Sequence, residues 1–205
     1  EQGIQNALIT LAETSQNFLA VVAPPEALST PQKAINWHNG QYTGRSSAIN
    51  SSYAAIYWPW LKTFDVGSQS DIYVNPIAKF TQDGIVILGQ RTAQRTPSAL
   101  DRVNVRRMMI VIRKMILAAT RTIVFEPNDP LTWGKVVNIL QPALDDIRRR
   151  RGITEFRVIC DETTNTPLRI DRNEMWCRVL IKPTKTAEVL VFELNLTNQS
   201  ANIGG

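Results

Sequence analysis

Few residues in this chain have chemistry to offer. His38 is the single histidine, and the two cysteines are Cys160 and Cys177. A tetrahedral zinc site takes four ligands drawn mainly from Cys and His, so this set holds no metal without carboxylate help. Both cysteines sit in apolar runs, where free cysteine usually packs as a small half-buried hydrophobe. His38 lies beside Trp37 and close to Gly40 with no evident partner, and reads as a surface or packing residue. Carboxylate pairs occur at Asp145 with Asp146, Asp161 with Glu162, and Asp171 with Glu174. A glycosidase needs two such groups facing each other across a cleft, whereas near neighbours in sequence more often serve turns and caps. The chain has no G-x-S-x-G, H-E-x-x-H, Walker loop or G-x-G-x-x-G to carry hydrolysis or nucleotide binding. No catalytic residue, cofactor or metal is therefore expected, and the chain does not read as an enzyme.

Positive charge is the stronger signal. The 205 residues carry 23 Lys and Arg against 18 Asp and Glu, a net charge of +5. That total is ordinary, but its distribution is not. Placed on a helical wheel at roughly 100° per residue, residues 101–121 divide into two arcs. One holds Val105, Met108, Met109, Val111, Ile112, Met115, Ile116, Ala118 and Ala119. The other holds six cations: Arg102, Arg106, Arg107, Arg113, Lys114 and Arg121. No acid follows Asp101 on that side, although i,i+4 acid–base pairs would stabilise a solvated face and like charges repel. Ile110 and Leu117 sit among the cations, seven residues apart. Three readings stay open: a solvated face, a face docked to a partner with an acidic rim and apolar centre, or a nucleic-acid surface. The last would usually want aromatic or polar base readers, and this helix has few. The second basic cluster, Arg148 to Arg151, closes a helix, where the dipole already favours cations.

The elements that position these residues mix α and β. Residues 5–22 read as a helix followed by a short buried strand at 18–22. Thr30-Pro31 has the form of an N-cap with proline at the first helical position, opening a helix through Trp37. Residues 51–64 read as a buried strand with a break at Pro59, 67–71 as a turn, Asn75-Pro76 as a second break, and 84–90 as another strand. Ser98 and Asp101 have capping-box spacing for the basic helix, which runs to about Thr120. Residues 122–125 read as a strand. Asp129-Pro130 starts a further helix that Pro142 should kink and Gly152 should stop. From Glu155 the apolar period becomes two, with strands at 155–160, 175–181 and 187–196; the last two should pair as a hairpin across 183–186. The fold class is mixed α/β: a mixed β-sheet flanked by helices, ending in an antiparallel C-terminal hairpin and an extended arm at about 197–205. No apolar run has the length of a membrane span, and the first residues lack the basic start of a signal peptide, so a non-secreted protein is expected.

Several segments together resemble a known family. These are residues 51–65 (SSYAAIYWPWLKTFD), 75–91 (NPIAKFTQDGIVILGQR), 101–107 (DRVNVRR), 124–128 (VFEPN) with Thr132-Trp133, and 170–174 (IDRNE). In this order they are similar to the C-terminal core domain of contractile phage-tail sheath proteins, including those of R-type pyocins and related injection machines. The resemblance covers most of the chain, and DRVNVRR together with VFEPN and the Thr-Trp pair is its most specific part. It implies a structural subunit forming stacked six-membered rings around a tail tube, assembled in the bacterial host cytoplasm and found in the virion tail. Its implied partners are other copies of itself, a tube protein with an acidic outer face, the baseplate and the tail terminator, with no membrane. It implies that Arg102, Arg106, Arg107, Ile110, Arg113, Lys114, Leu117 and Arg121 face the tube. Val189, Val191, Glu193, Asn195, Thr197 and Asn198 fall on the implied inter-subunit strand and arm. The chain would be one core domain, 1–205. Two departures stand out: Val74 meets Asn75 directly where the family has a longer stretch, so a segment is expected to be missing or deleted there, and the family's N-terminal arm and outer domains are not in this sequence. The alternative reading is a basic nucleic-acid-binding module.

Overall fold

The computed structural model describes residues 2–42, 47–58, 73–80 and 83–187. The elements are α1 (Gln2–Ser15), β1 (Ala20–Val22), α2 (Pro31–His38), β2 (Ala54–Trp58), β3 (Val74–Phe80), β4 (Gly84–Ile87), α3 (Val103–Ala119), α4 (Pro130–Arg149), β5 (Ile153–Ile159), α5 (Pro167–Asp171) and β6 (Arg178–Pro183). A short 3₁₀ turn, Arg121–Ile123, lies between α3 and α4.

A four-stranded mixed sheet runs in chain order, β1-β2-β3-β4. The first three strands are parallel, and β4 returns antiparallel to β3. The run AAIYW in β2 is nearly continuous and apolar, as a parallel strand covered on both faces requires. Ala54, Ala55 and Ile56 are accordingly fully buried. Around them pack Leu28, Trp37, Trp58 and Ile9 of α1. Trp58 places its indole N–H on the Leu28 carbonyl at 2.7 Å. His38 proves to be a packing residue: it is buried, stacked on Tyr73 at 5.5 Å, with Nε2 3.4 Å from the Ala93 carbonyl.

Asn75-Pro76 does not break the chain as expected; both lie inside β3. The register explains how a proline is tolerated there. The described pairing with β2 ends at Trp58↔Pro76, and pairing with β4 begins at Ile77↔Ile87. Pro76 lacks an N–H but keeps a place in the ladder, its carbonyl accepting from Leu88 N–H at 2.8 Å. β4 forms within its expected span but ends at Ile87, and Ile85 and Ile87 are exposed.

The C-terminal half stands on α4. Asp129 caps it, its carboxylate accepting from Thr132 N–H at 2.8 Å. That bond and the other first-turn amides hold the Asp129 carboxyl below its usual range. Trp133, Val136, Leu140 and Leu144 recur at helical spacing and are buried, facing the antiparallel β5–β6 pair. Pro142 lies inside α4 without ending it. The stop is a Schellman arrangement: Gly152 N–H reaches the Ile147 carbonyl at 3.0 Å and Arg151 N–H reaches that of Arg148 at 2.9 Å. The left-handed residue is Arg151 (φ 64°), not Gly152. At Gly152 the space is tight, since a Cβ there would stand 3.0 Å from Ile147 Cγ2 and 3.2 Å from Met108 Sδ.

Other expectations also change. Residues 122–125 form no strand: Ile123 N–H bonds the Thr120 carbonyl at 3.1 Å and Glu126 N–H that of Ile123 at 3.0 Å, so the chain tightens into a turn. A four-residue apolar run cannot distinguish these outcomes, because periodicity needs length. The capping box is not made. Arg102 is the N-cap and makes no side-chain cap bond, while Ser98 Oγ accepts from Leu100 N–H at 3.1 Å. The helix start is fixed by a strand-like bridge, Arg91↔Arg102, and by Val103 N–H on the Gln90 carbonyl at 2.7 Å. Helix α5 was not anticipated, although Thr166-Pro167 carries the same signal as Thr30-Pro31. The C-terminal antiparallel pair is β5–β6; the expected partner strand at 187–196 and the arm lie outside the described residues, save Ala187.

Candidate interaction face

Helix α3 carries the charge singled out from the sequence, but its exposed side is rotated from the wheel. Arg106 and Ile110, placed there on the basic arc, are each only 8% exposed. Val111 and Ala118, placed on the apolar arc, are exposed. Tertiary packing decides this, because α3 is covered from two directions. On one side Met108, Met109, Met115 and Ile116 meet α4 and the β5–β6 pair. On another, the Arg106 guanidinium lies 3.9 Å over the Tyr53 ring and donates to Ser52 Oγ. Burial pulls its pKa below the usual arginine value, and Tyr53 partly opposes that. Arg106 is thus a structural cation joining α3 to the end of the loop before β2.

The remaining cations fall into two groups. Arg102 is paired with Asp101 at 3.0 Å. Arg107, Arg113, Lys114 and Arg121 are exposed, and none forms an ion pair with a described residue. Arg113 Nη1 does donate to the Ser15 carbonyl at 3.1 Å. Arg107 and Lys114 are one heptad apart, about 10 Å along the axis of α3, with Val111 between them; Ala118 and then Arg121, in the 3₁₀ turn, follow. This is a narrow basic stripe with small apolar centres. Leu117 is 54% exposed, and it borders a groove of about 360 Å³ lined by Met109, Ile110, Ile116, Val179 and Ile181.

The arginine run at the end of α4 is different. Asp145 holds Arg148 at 2.6 Å and Arg149 at 3.0 Å, and Asp146 holds Arg150 at 3.0 Å. Three of the four arginines are thus paired with acids one turn back, in keeping with a structural role. A second exposed feature escaped the sequence reading. Phe125, taken there as part of a strand, is fully exposed at φ 75°, with Val124 and Leu131 exposed nearby in sequence. Nothing in the local pattern marks it, because the signal is a backbone angle.

Among the described residues no group of three or more His, Cys, Asp or Glu is placed to hold a metal, and no helix is long and apolar enough to cross a membrane. Of the carboxylate pairs, Asp161 does turn chemistry, its Oδ1 accepting from Thr163 N–H at 2.9 Å and Thr163 Oγ1 at 2.5 Å, while Asp145 and Asp146 hold arginines along α4. The inter-subunit candidates Val189, Val191, Glu193, Asn195, Thr197 and Asn198 lie outside the described residues.

The sequence profile of the phage tail sheath C-terminal domain matches residues 95–197, a span that holds α3, α4, the β5–β6 pair and the motifs DRVNVRR and VFEPN. The chain belongs to that family. It is 35% identical over 131 residues to the tail sheath protein of Vibrio phage KVP40, covering 64% of this chain and 20% of the relative. To that of Enterobacteria phage T4 it is 33% identical over 129 residues, covering 63% and 20%. The chain therefore spans about a fifth of the length of the curated relatives it matches. The same fold recurs in the contracted sheath complex of the extracellular contractile injection system PVC, with TM-score 0.73 and 19% identity over 86% of this chain and 63% of that one. It recurs in the contracted helical sheath of the anti-feeding prophage, with TM-score 0.71 and 16% identity over 95% and 67%. That coverage reaches well beyond residues 95–197, so the likeness in fold is not confined to the part the family profile matches.

Proposed function

We propose that this chain is the inner core of a contractile tail sheath subunit. It polymerises as stacked hexameric rings around a tail tube, and contraction of the sheath drives the tube through the target cell envelope. The observation that carries this, beyond family membership, is the exposed stripe Arg107, Lys114 and Arg121, none of which forms an ion pair among the described residues. Such a stripe fits an acidic tube surface through many contacts, each individually weak and screened by salt. Arg113 and Leu117 extend the contact toward the groove. Arg106 and Ile110 support the helix from beneath and do not reach the tube.

The experiment is charge reversal in the full-length sheath: Arg107→Glu, Lys114→Glu and Arg121→Glu together. Electron microscopy of sheath assembled with its tube should show extended sheath lost, while circular dichroism and Tm stay near wild type. Arg106→Glu serves as the contrast. It places a carboxylate over the Tyr53 ring and should lower Tm strongly before any assembly step. Normal extended sheath from the triple variant would overturn the assignment of this stripe.

A further inference from the structure

The two thiols of the chain face each other at the open end of the β5–β6 pair. Ile159 pairs with Arg178 in the last registered step, so the next step outward sets Cys160 opposite Cys177. Residues directly opposite in antiparallel strands have Cα separations of about 4.5 or 5.5 Å, and a disulfide spans about 4.4–6.8 Å. Both side chains enter the apolar cluster beneath α4. Each thiol is close enough to the other to perturb its titration, and Asn165 Nδ2 lies 3.8 Å from Cys160 Sγ. Both are free thiols.

We propose that Cys160 and Cys177 are a disulfide-forming site, oxidised by exchange with a small-molecule disulfide of the glutathione class. The bond would staple the mouth of the loop 160–177, which carries α5 and the Arg169–Trp176 contact at 4.3 Å. Cys177, only partly buried, is the thiol a reagent reaches first. It loses its proton to solvent, and its thiolate attacks one sulfur of the reagent, breaking the reagent's S–S bond and expelling a small thiolate. Cys160, deprotonated in turn, attacks Cys177 Sγ and expels the second small thiolate. Two protein thiols are oxidised to one disulfide, one small disulfide is reduced to two thiols, and the two protons end on the leaving groups. Burial pushes the Cys177 thiol up to about 12. The exchange is therefore slow at neutral pH and gains about tenfold per pH unit below that value, because the thiolate is the nucleophile. This site is independent of the sheath reading.

The test incubates the reduced full chain with oxidised glutathione at alkaline pH, followed by intact mass and thiol counting after denaturation. The expected product is about 2 Da lighter, with no titratable thiol and no attached glutathione. Its digest contains a 160–177 cross-link, and its Tm is higher by roughly 6–12 °C, as a loop of this length gives when closed. Cys160→Ser should instead accumulate a stable glutathione adduct on Cys177. Two thiols persisting in the wild-type chain, stable glutathione adducts on it, or cross-linked dimers would each overturn the proposal.

Discussion

Phe125 holds a left-handed backbone angle with its ring in solvent, so it carries strain and gains no burial within the chain. A bulky residue at positive φ costs about 1–2 kcal/mol. Asparagine tolerates that region better and adds no disorder to the unfolded state. Phe125→Asn should therefore raise unfolding stability by about 0.5–1 kcal/mol, measured by urea titration; a loss would show that the ring packs on something within the chain. Asn75 illustrates the reverse problem of reading. Its Nδ2 donates to the Ile56 carbonyl at 3.0 Å and the Arg91 carbonyl at 2.8 Å, and its Oδ1 accepts from Arg91 N–H at 2.7 Å. In sequence, Asn before Pro signals a break. In the fold, the same side chain ties β3 to the backbone of β2 and of the segment after β4. The residue types were informative, but their sign depended on contacts remote in the chain.

Among the elements, the long ones were legible and the short ones were not. α3 and α4 announce themselves by periodicity over several turns, and α4 by its Asp-Pro start. The 3₁₀ turn and α5 are too short to carry a period. The face of α3 was only half legible, because a wheel ranks residues by type and Arg106 is buried by Tyr53 and Ser52, about fifty positions away. The end of α2 rests on a single glycine. Gly40 has φ +76°, and a Cβ there would stand 2.6 Å from the Ser47 carbonyl carbon and 2.7 Å from Ala48 N. Backbone cannot step aside as a flexible side chain would. Gly40→Ala should cost about 2–3 kcal/mol, read from chemical denaturation. A change below about 0.5 kcal/mol, the scatter of ordinary surface substitutions, would mean that the chain at 47–48 is free to retreat.

At the scale of the whole molecule, the apolar clusters divide the sequence. One draws only on residues 9–93, and the other two on residues 108–181. Among the described residues, no element of the first half packs extensively on an element of the second. The described polar contacts that cross are Arg106 on Tyr53 and Ser52, Arg113 on Ser15, Gln90 on Thr186 at 2.6 Å, and the Arg91↔Arg102 bridge. Native-state hydrogen exchange should therefore resolve two cooperative units, with the slowest amides of β2 and of α4 opening at different free energies. A single common value would show that the halves unfold as one.

That seam has a mechanical meaning. Apolar cores yield gradually, losing area in proportion to displacement, whereas a hydrogen bond weakens steeply once its geometry fails. A pull or twist applied between the two halves is borne by a handful of brittle, short-range contacts while each core stays intact. Such a load would reach Arg106 and its partners Tyr53 and Ser52 before it reached either apolar cluster.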